Sequence, residues 1–296
     1  MDSSTATLIG ILRERVNTLR AAGDLEEALH AANAAVERTQ QTLSSEFDTI
    51  DAFVSSLEIR AEILRELGHL EPARDDYRQA IDQLDGRPDR LDQLGRLYAS
   101  LGAVYDGLDS PERAAQMWEK AIQCFENHQP PLELDVAAMA NNLGFLKKSA
   151  GDLGAAEVYF LRALEILHAH LGNKHEETAA VSNNLGALYH AAGFTEQARE
   201  MHMMALEARR ELFGENHPDT AQSHNNLALA LLQTGDRSWA KRHFEKALTA
   251  FEALGIQYAE DLEAVATNYC AFLRSEGEMY LADVIEGRVR TLLGRE

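Results

Sequence analysis

Ala150-Gly151-Asp152-Leu153-Gly154-Ala155-Ala156, Ala192-Gly193-Phe194-Thr195-Glu196-Gln197-Ala198 and Thr234-Gly235-Asp236-Arg237-Ser238-Trp239-Ala240 are three copies of one element. Each glycine stands 42 residues from the next, and Gly277 continues the series at the same spacing. Earlier copies lie at Gly23 and Gly68. Another falls at Asp109, where the glycine is replaced but Ala114 and Ala121 keep the pattern. A fixed period of this length marks a repeat architecture, in which each unit buries its apolar face against its neighbour. Residues 1–296 are therefore expected to form a single solenoid of seven units, broken near Gly23, Gly68, Asp109, Gly151, Gly193, Gly235 and Gly277.

Within a unit the glycine separates two helices, because it adopts the left-handed conformation that ends a helix without steric cost. Five and twelve residues past each break stands alanine, from Ala28 and Ala35, Ala73 and Ala80, through Ala156 and Ala163, Ala198 and Ala205, to Ala240 and Ala247. Small side chains at these positions let helices approach closely. Nine residues past the break, Tyr77, Trp118, Phe160 and Phe244 are expected to fill the gap between neighbouring helices. The last unit has Ala282 and then Val289, a departure that suits a terminal cap. Before the break, the first helix carries a large residue followed by a small one: Leu101-Gly102, Leu143-Gly144, Leu185-Gly186, Leu227-Ala228 and Tyr269-Cys270.

The large-small pair followed by Ala, aromatic and Ala resembles the tetratricopeptide motif over nearly the whole chain. That resemblance implies an all-α fold, a right-handed superhelical solenoid of about seven helix-turn-helix repeats. The ordinary unit of that family repeats every 34 residues or so, and the longer 42-residue period here narrows the comparison. Asn183-Asn184-Leu185-Gly186 and Asn225-Asn226-Leu227-Ala228, with the linker Phe213-Gly214-Glu215-Asn216-His217-Pro218-Asp219-Thr220-Ala221 and its looser copy Leu171–Ala179, resemble kinesin light chains. This narrower likeness rests on residues 137 to 277. Eukaryotic kinesin light chains begin with a long coiled coil that binds the motor. Here the first repeat starts near Leu8, so no motor attachment is implied. A solenoid of this kind without the coiled coil is similar to the bacterial kinesin light chains, which are associated with bacterial tubulins.

Composition narrows the partners. The chain has 28 Lys and Arg against 48 Asp and Glu, a formal charge of −20. Nucleic acid would be repelled, and no polybasic run or basic amphipathic face points to a membrane. The acidity reads as a solvated, self-repelling helical surface, or more sharply as a complement to a basic partner. The only two cysteines, Cys124 and Cys270, form no CxxC pattern and are expected to act as small buried hydrophobes. Leu8–Leu12 is too short an apolar run for a secretory core, and no stretch is long enough to span a bilayer. A cytoplasmic location is expected.

The asparagine pairs are the most informative polar feature, since Asn disfavours helix interiors. Nine residues before the breaks stand Asn142, Asn184, Asn226 and Asn268; ten before stand Asn141, Asn183 and Asn225. By resemblance the first helix of each unit lines the concave face, which would place a ladder of amides there. An amide both donates and accepts, which suits the backbone of an extended peptide. Equally, the amides could satisfy groups in the adjacent repeat and hold helices in register. Flanking Lys148, His190 and Arg274 add donors but form no carboxylate-binding cluster, and read as solvated helix residues.

Eleven histidines fall in no metal-ligand pattern. His168 and His170 diverge on a helix, and His175-Glu176-Glu177 lacks a second His. His217 before Pro218 reads as a helix start, with Asp219 at the positive helix end. Neither a phosphate loop, a nucleophile elbow nor a dinucleotide fingerprint is found. No catalytic residue, cofactor or metal is assigned. Two functions are expected: a non-enzymatic protein-binding scaffold, with bacterial tubulin the partner the resemblance implies, or a module that binds an extended segment of a signalling or cargo protein through the Asn ladder.

Overall fold

A computed structural model describes residues 3–295, and every extended element in it is helical. The chain forms two compact units that divide at Leu146 and Lys147. The first contains α1 (Ser3–Ala21), α2 (Leu25–Gln41), α3 (Phe47–Glu66), α4 (Leu70–Leu84), α5 (Leu91–Gly107), α6 (Pro111–Asn127) and most of α7 (Glu133–Ser149). The second contains α8 (Leu153–Leu171), α9 (Glu176–Ala192), α10 (Thr195–Phe213), α11 (Pro218–Thr234), α12 (Arg237–Leu254), α13 (Ala259–Ser275) and α14 (Met279–Leu292). Consecutive helices pack on one another from α1 to α6 in the first unit and from α8 to α14 in the second, the stacking of a helix-turn-helix repeat.

All seven expected breaks are helix ends of one geometry. Gly23, Gly68, Gly151, Gly193, Gly235 and Gly277 have φ between 77° and 86°, and Asp109, with φ 53°, is the one described non-glycine residue at positive φ. At each break two hydrogen bonds close the preceding helix. Gly151 N donates to the Lys148 carbonyl (3.0 Å) and Asp152 N to that of Lys147 (2.9 Å); Asp109 and Ser110 repeat this on Asp106 (3.0 Å) and Tyr105 (2.9 Å). This pairing satisfies carbonyls that a helix end otherwise leaves orphaned, and it lets the next helix begin within two residues.

The alanines do what their spacing implies. Ala73, Ala80, Ala114, Ala121, Ala156, Ala163, Ala198, Ala205, Ala240 and Ala247 are all wholly buried, as is Ala282. The large-small pair acquires a partner as well: a side chain added at Gly102 would collide with the Trp118 indole, whose N–H donates to the Ala99 carbonyl at 3.1 Å. At Gly186 the ring in the way is His202, within 2.8 Å of where a Cβ would stand. The ninth position past the break thus fills the hollow left by the small residue of the same unit. Phe160 and Phe244 are fully buried at that position. Cys124 and Cys270 are free and buried.

Candidate functional site

The seven asparagines sit on α7, α9, α11 and α13, the first helices of four successive units. Two cross-repeat pairs are explicit. Asn226 Nδ2 donates to Asn183 Oδ1 at 2.9 Å, and Asn268 Nδ2 donates to Asn225 Oδ1 at 3.2 Å. In both, the residue nine before one break reaches the residue ten before the previous break, so the double Asn is a relay from helix to helix. Asn226 Oδ1 also accepts from Gln222 Nε2 (3.1 Å), and Asn225 is buried. Asn141, Asn142 and Asn184 are partly buried on the same helices. Arg274 is engaged by Glu286 (2.7 Å) and Asp283 (3.2 Å).

Histidines outside any metal-ligand pattern make further contacts between helices, and one of them joins the asparagine network. His202, at the ninth position past Gly193, is buried with Nδ1 3.2 Å from Asn183 Oδ1. Since Asn183 Oδ1 can only accept, that nitrogen carries the proton. Burial pulls the ring down to about 4, so it stays neutral at physiological pH. Around the next break, His224 Nδ1 lies 2.7 Å from His243 Nδ1, and His224 Nε2 lies 2.9 Å from Glu215 Oε2. The hydrogen bond from His224 holds the Glu215 carboxyl below its usual range, so Glu215 is ionised and His224 Nε2 donates to it. His224 Nδ1 is then left as an acceptor, and His243 Nδ1 supplies the proton. Burial lowers both imidazoles, His243 to about 4, which keeps two rings in contact uncharged. The signal was present in the repeat register, since these histidines occupy positions filled elsewhere by aromatic or core residues. A search for metal spacing does not see it.

Other positions act structurally. His217 caps α11, its Nδ1 accepting from Asp219 N at 3.3 Å while the ring stacks on Phe213. Arg209 is half-buried and donates to the Asp219 carbonyl (3.2 Å) and Ser223 Oγ (2.9 Å), tying the linker to α11. Among the described residues no group of three or more His, Cys, Asp or Glu is placed to hold a metal ion. No described helix is long and apolar enough to cross a membrane.

Stacked helix pairs with left-handed breaks, an alanine seam and an aromatic in the small-residue hollow define an all-α helix-turn-helix repeat protein. The tetratricopeptide-repeat profile matches residues 135–210 and 179–253. Among solved structures the chain is similar to BtubC (BKLC) from P. vanneervenii, at 28% identity over 78% of this chain and 92% of that one, with a TM-score of 0.67. It also resembles the C-terminal part of a TPR repeat-containing protein from Cytophaga hutchinsonii (13% identity, 96% of each chain, TM-score 0.64). A Podosopora anserina putative kinesin light chain with nearly identical TPR-like repeats shares 17% identity over 67% of this chain and 93% of that one, TM-score 0.56. The last two likenesses concern the fold alone. Comparison with curated protein sequences gives no match.

Proposed function

We propose that this chain is a non-enzymatic scaffold of kinesin-light-chain type that binds bacterial tubulin, as filament or as subunits. The observation that carries the proposal is the likeness to BtubC, which combines 28% identity with a shared fold over 92% of that protein. The 42-residue period and the doubled Asn of the first helix support it from the sequence side. A helical repeat presents a large surface built on rigid elements, which suits holding a partner.

The test is co-sedimentation of the purified chain with assembled bacterial tubulin. The expected result is saturable recovery in the filament pellet; a chain that stays in the supernatant while filaments and free subunits are both offered, with no complex on size exclusion, overturns the proposal. The second reading, recognition of an extended peptide by Asn141, Asn142, Asn183, Asn184, Asn225, Asn226 and Asn268, is tested by replacing Asn142, Asn184 and Asn226 together with Ala. Loss of partner binding with helix content unchanged supports a binding role. Loss of folding supports the register role, toward which the Asn226 to Asn183 and Asn268 to Asn225 hydrogen bonds point.

A further inference from the structure

Two crevices occupy the same place in the repeat, one in each compact unit. The first, of about 350 Å³, is floored by Tyr98, Leu101 and Tyr105 of α5 and walled by α4 and α6. The second, of about 360 Å³, is floored by His224 and Leu227 of α11 and walled by α10 and α12. Their residues correspond by repeat number. Tyr98 and His224 stand eleven before their breaks, Leu101 and Leu227 eight before, and Lys120 and Lys246 eleven after. On the opposite wall Ile81 answers to Leu206 and Asp82 to Glu207. The crevice is therefore a product of the repeat, outside the asparagine network.

Its charge runs against the molecule. The chain as a whole has 48 acidic against 28 basic residues. The first crevice is lined by Arg78, Arg113 and Lys120 with Asp82 alone, and the second by Arg210, Arg242 and Lys246 with Glu207 alone. Elsewhere in the second unit cations are spent on carboxylates across the breaks, as Lys241 is on Glu278 (2.7 Å) and Arg199 on Asp236 (3.4 Å). The crevice cations are not. Lys246 reaches Glu215 at 3.3 Å, but Arg210 and Arg242 have no carboxylate partner among the described residues, nor have Arg78, Arg113 and Lys120. Arg242 lies over Trp239 instead, Arg113 over Tyr105 and Lys120 over Tyr98. Trp239 and Met203, both on the walls of the second crevice, are exposed at 55% and 45%. Unpaired cations beside exposed apolar groups call for a ligand that carries both negative charge and apolar bulk.

We infer that these two crevices are docking sites for an acidic surface helix of a protein partner, which drops bulky apolar side chains between the second helices and sets its carboxylates against the crevice arginines. A helix is favoured over an extended segment because the walls and floor are themselves helices. Their backbone groups are paired internally, so a strand would find no N–H or C=O to match its own. Each cavity has room for one or two large side chains, so the docked helix lies across the mouth. The inference does not depend on the partner being a tubulin.

The probe is a fluorescein-labelled amphipathic peptide, helical, with leucine once per turn flanked by glutamate, titrated by anisotropy. R78Q/R113Q and R210Q/R242Q each remove two unpaired positive charges from one crevice, and K174Q/R290Q removes the same charge from exposed positions elsewhere. Each crevice variant is expected to lose about half of the peptide bound at saturation, and the combined R78Q/R113Q/R210Q/R242Q variant to bind about five- to tenfold more weakly, with the control unchanged. Wild-type affinity in the combined variant, an equal loss in the control, or no binding to the wild type overturns the inference, as does equal affinity for a glutamate peptide without leucine. Co-sedimentation of the same proteins with bacterial tubulin is read separately: failure there removes the tubulin proposal and leaves the peptide result standing.

Discussion

Asp109 shows how much a single backbone position is asked to do. With φ at 53° it holds the conformation glycine supplies at the other six breaks, and it makes the same pair of closing hydrogen bonds. An L residue there carries a strain of about 1 kcal/mol that glycine would not, partly offset because glycine frees the unfolded chain. Asp109→Gly is therefore expected to stabilise the protein by roughly 0.5 kcal/mol, read as a raised urea midpoint at unchanged m-value. His202 is the second residue of this kind. Its imidazole is held neutral by burial with its pKa at about 4, whereas in the unfolded chain it protonates at its ordinary value. The unfolded state thus binds the extra proton, and stability is full above the unfolded pKa and declines as pH falls toward 4. His243 adds to the same loss. His202→Phe, matching Phe160 and Phe244 at the equivalent position, should flatten that acid limb, gaining on the order of 1 kcal/mol relative to wild type near pH 5. An unchanged slope between pH 6.5 and 4.5 would count against the assignment.

At the level of elements, the doubled asparagine joins first helices that are two apart in the chain. Asn183 Oδ1 accepts from both Asn226 and His202, so Asn183→Ala strips two donors of their acceptor at once, one of them buried. Asn226→Ala removes only one. The first substitution is expected to cost about 2 kcal/mol and the second nearer 1. A double-mutant cycle should return a coupling of about 0.5 to 1 kcal/mol between them. Zero coupling in denaturant melts would mean that the pair does not hold register. The large-small pairs work at this scale too. Gly186 has no room for a methyl group beneath His202, so the small residue of one helix and the ring of the next are chosen together.

For the molecule as a whole, one tryptophan falls in each compact unit, Trp118 in the first and Trp239 in the second. Single-tryptophan variants W239F and W118F therefore report the two units separately. We propose that residues 1–296 behave as one solenoid, in which case the fluorescence midpoints coincide with each other and with the loss of helix. Separated midpoints would make the units independent. The −20 charge also belongs to this scale. It opposes any acidic partner at long range, so binding should depend on the crevice cations, where the local ratio is reversed.

The sequence by itself determined the helical repeat, its period, the seven break positions including the substituted one at Asp109, and the alanine seam. Each of these is a local or strictly periodic property. A left-handed break is set by one residue and its neighbours, and a wholly buried Ala at the fifth and twelfth positions follows from helix geometry repeated unit by unit. The tertiary structure alone decided what the polar residues do. That Asn226 pairs with Asn183, that His224 donates to Glu215 and accepts from His243, and that Arg210 and Arg242 share one crevice with no carboxylate paired to either all depend on side chains brought together from different helices. Hydrogen bonds and charges act over a few ångströms with strict direction, so spacing along the chain locates the candidates and only packing chooses among them.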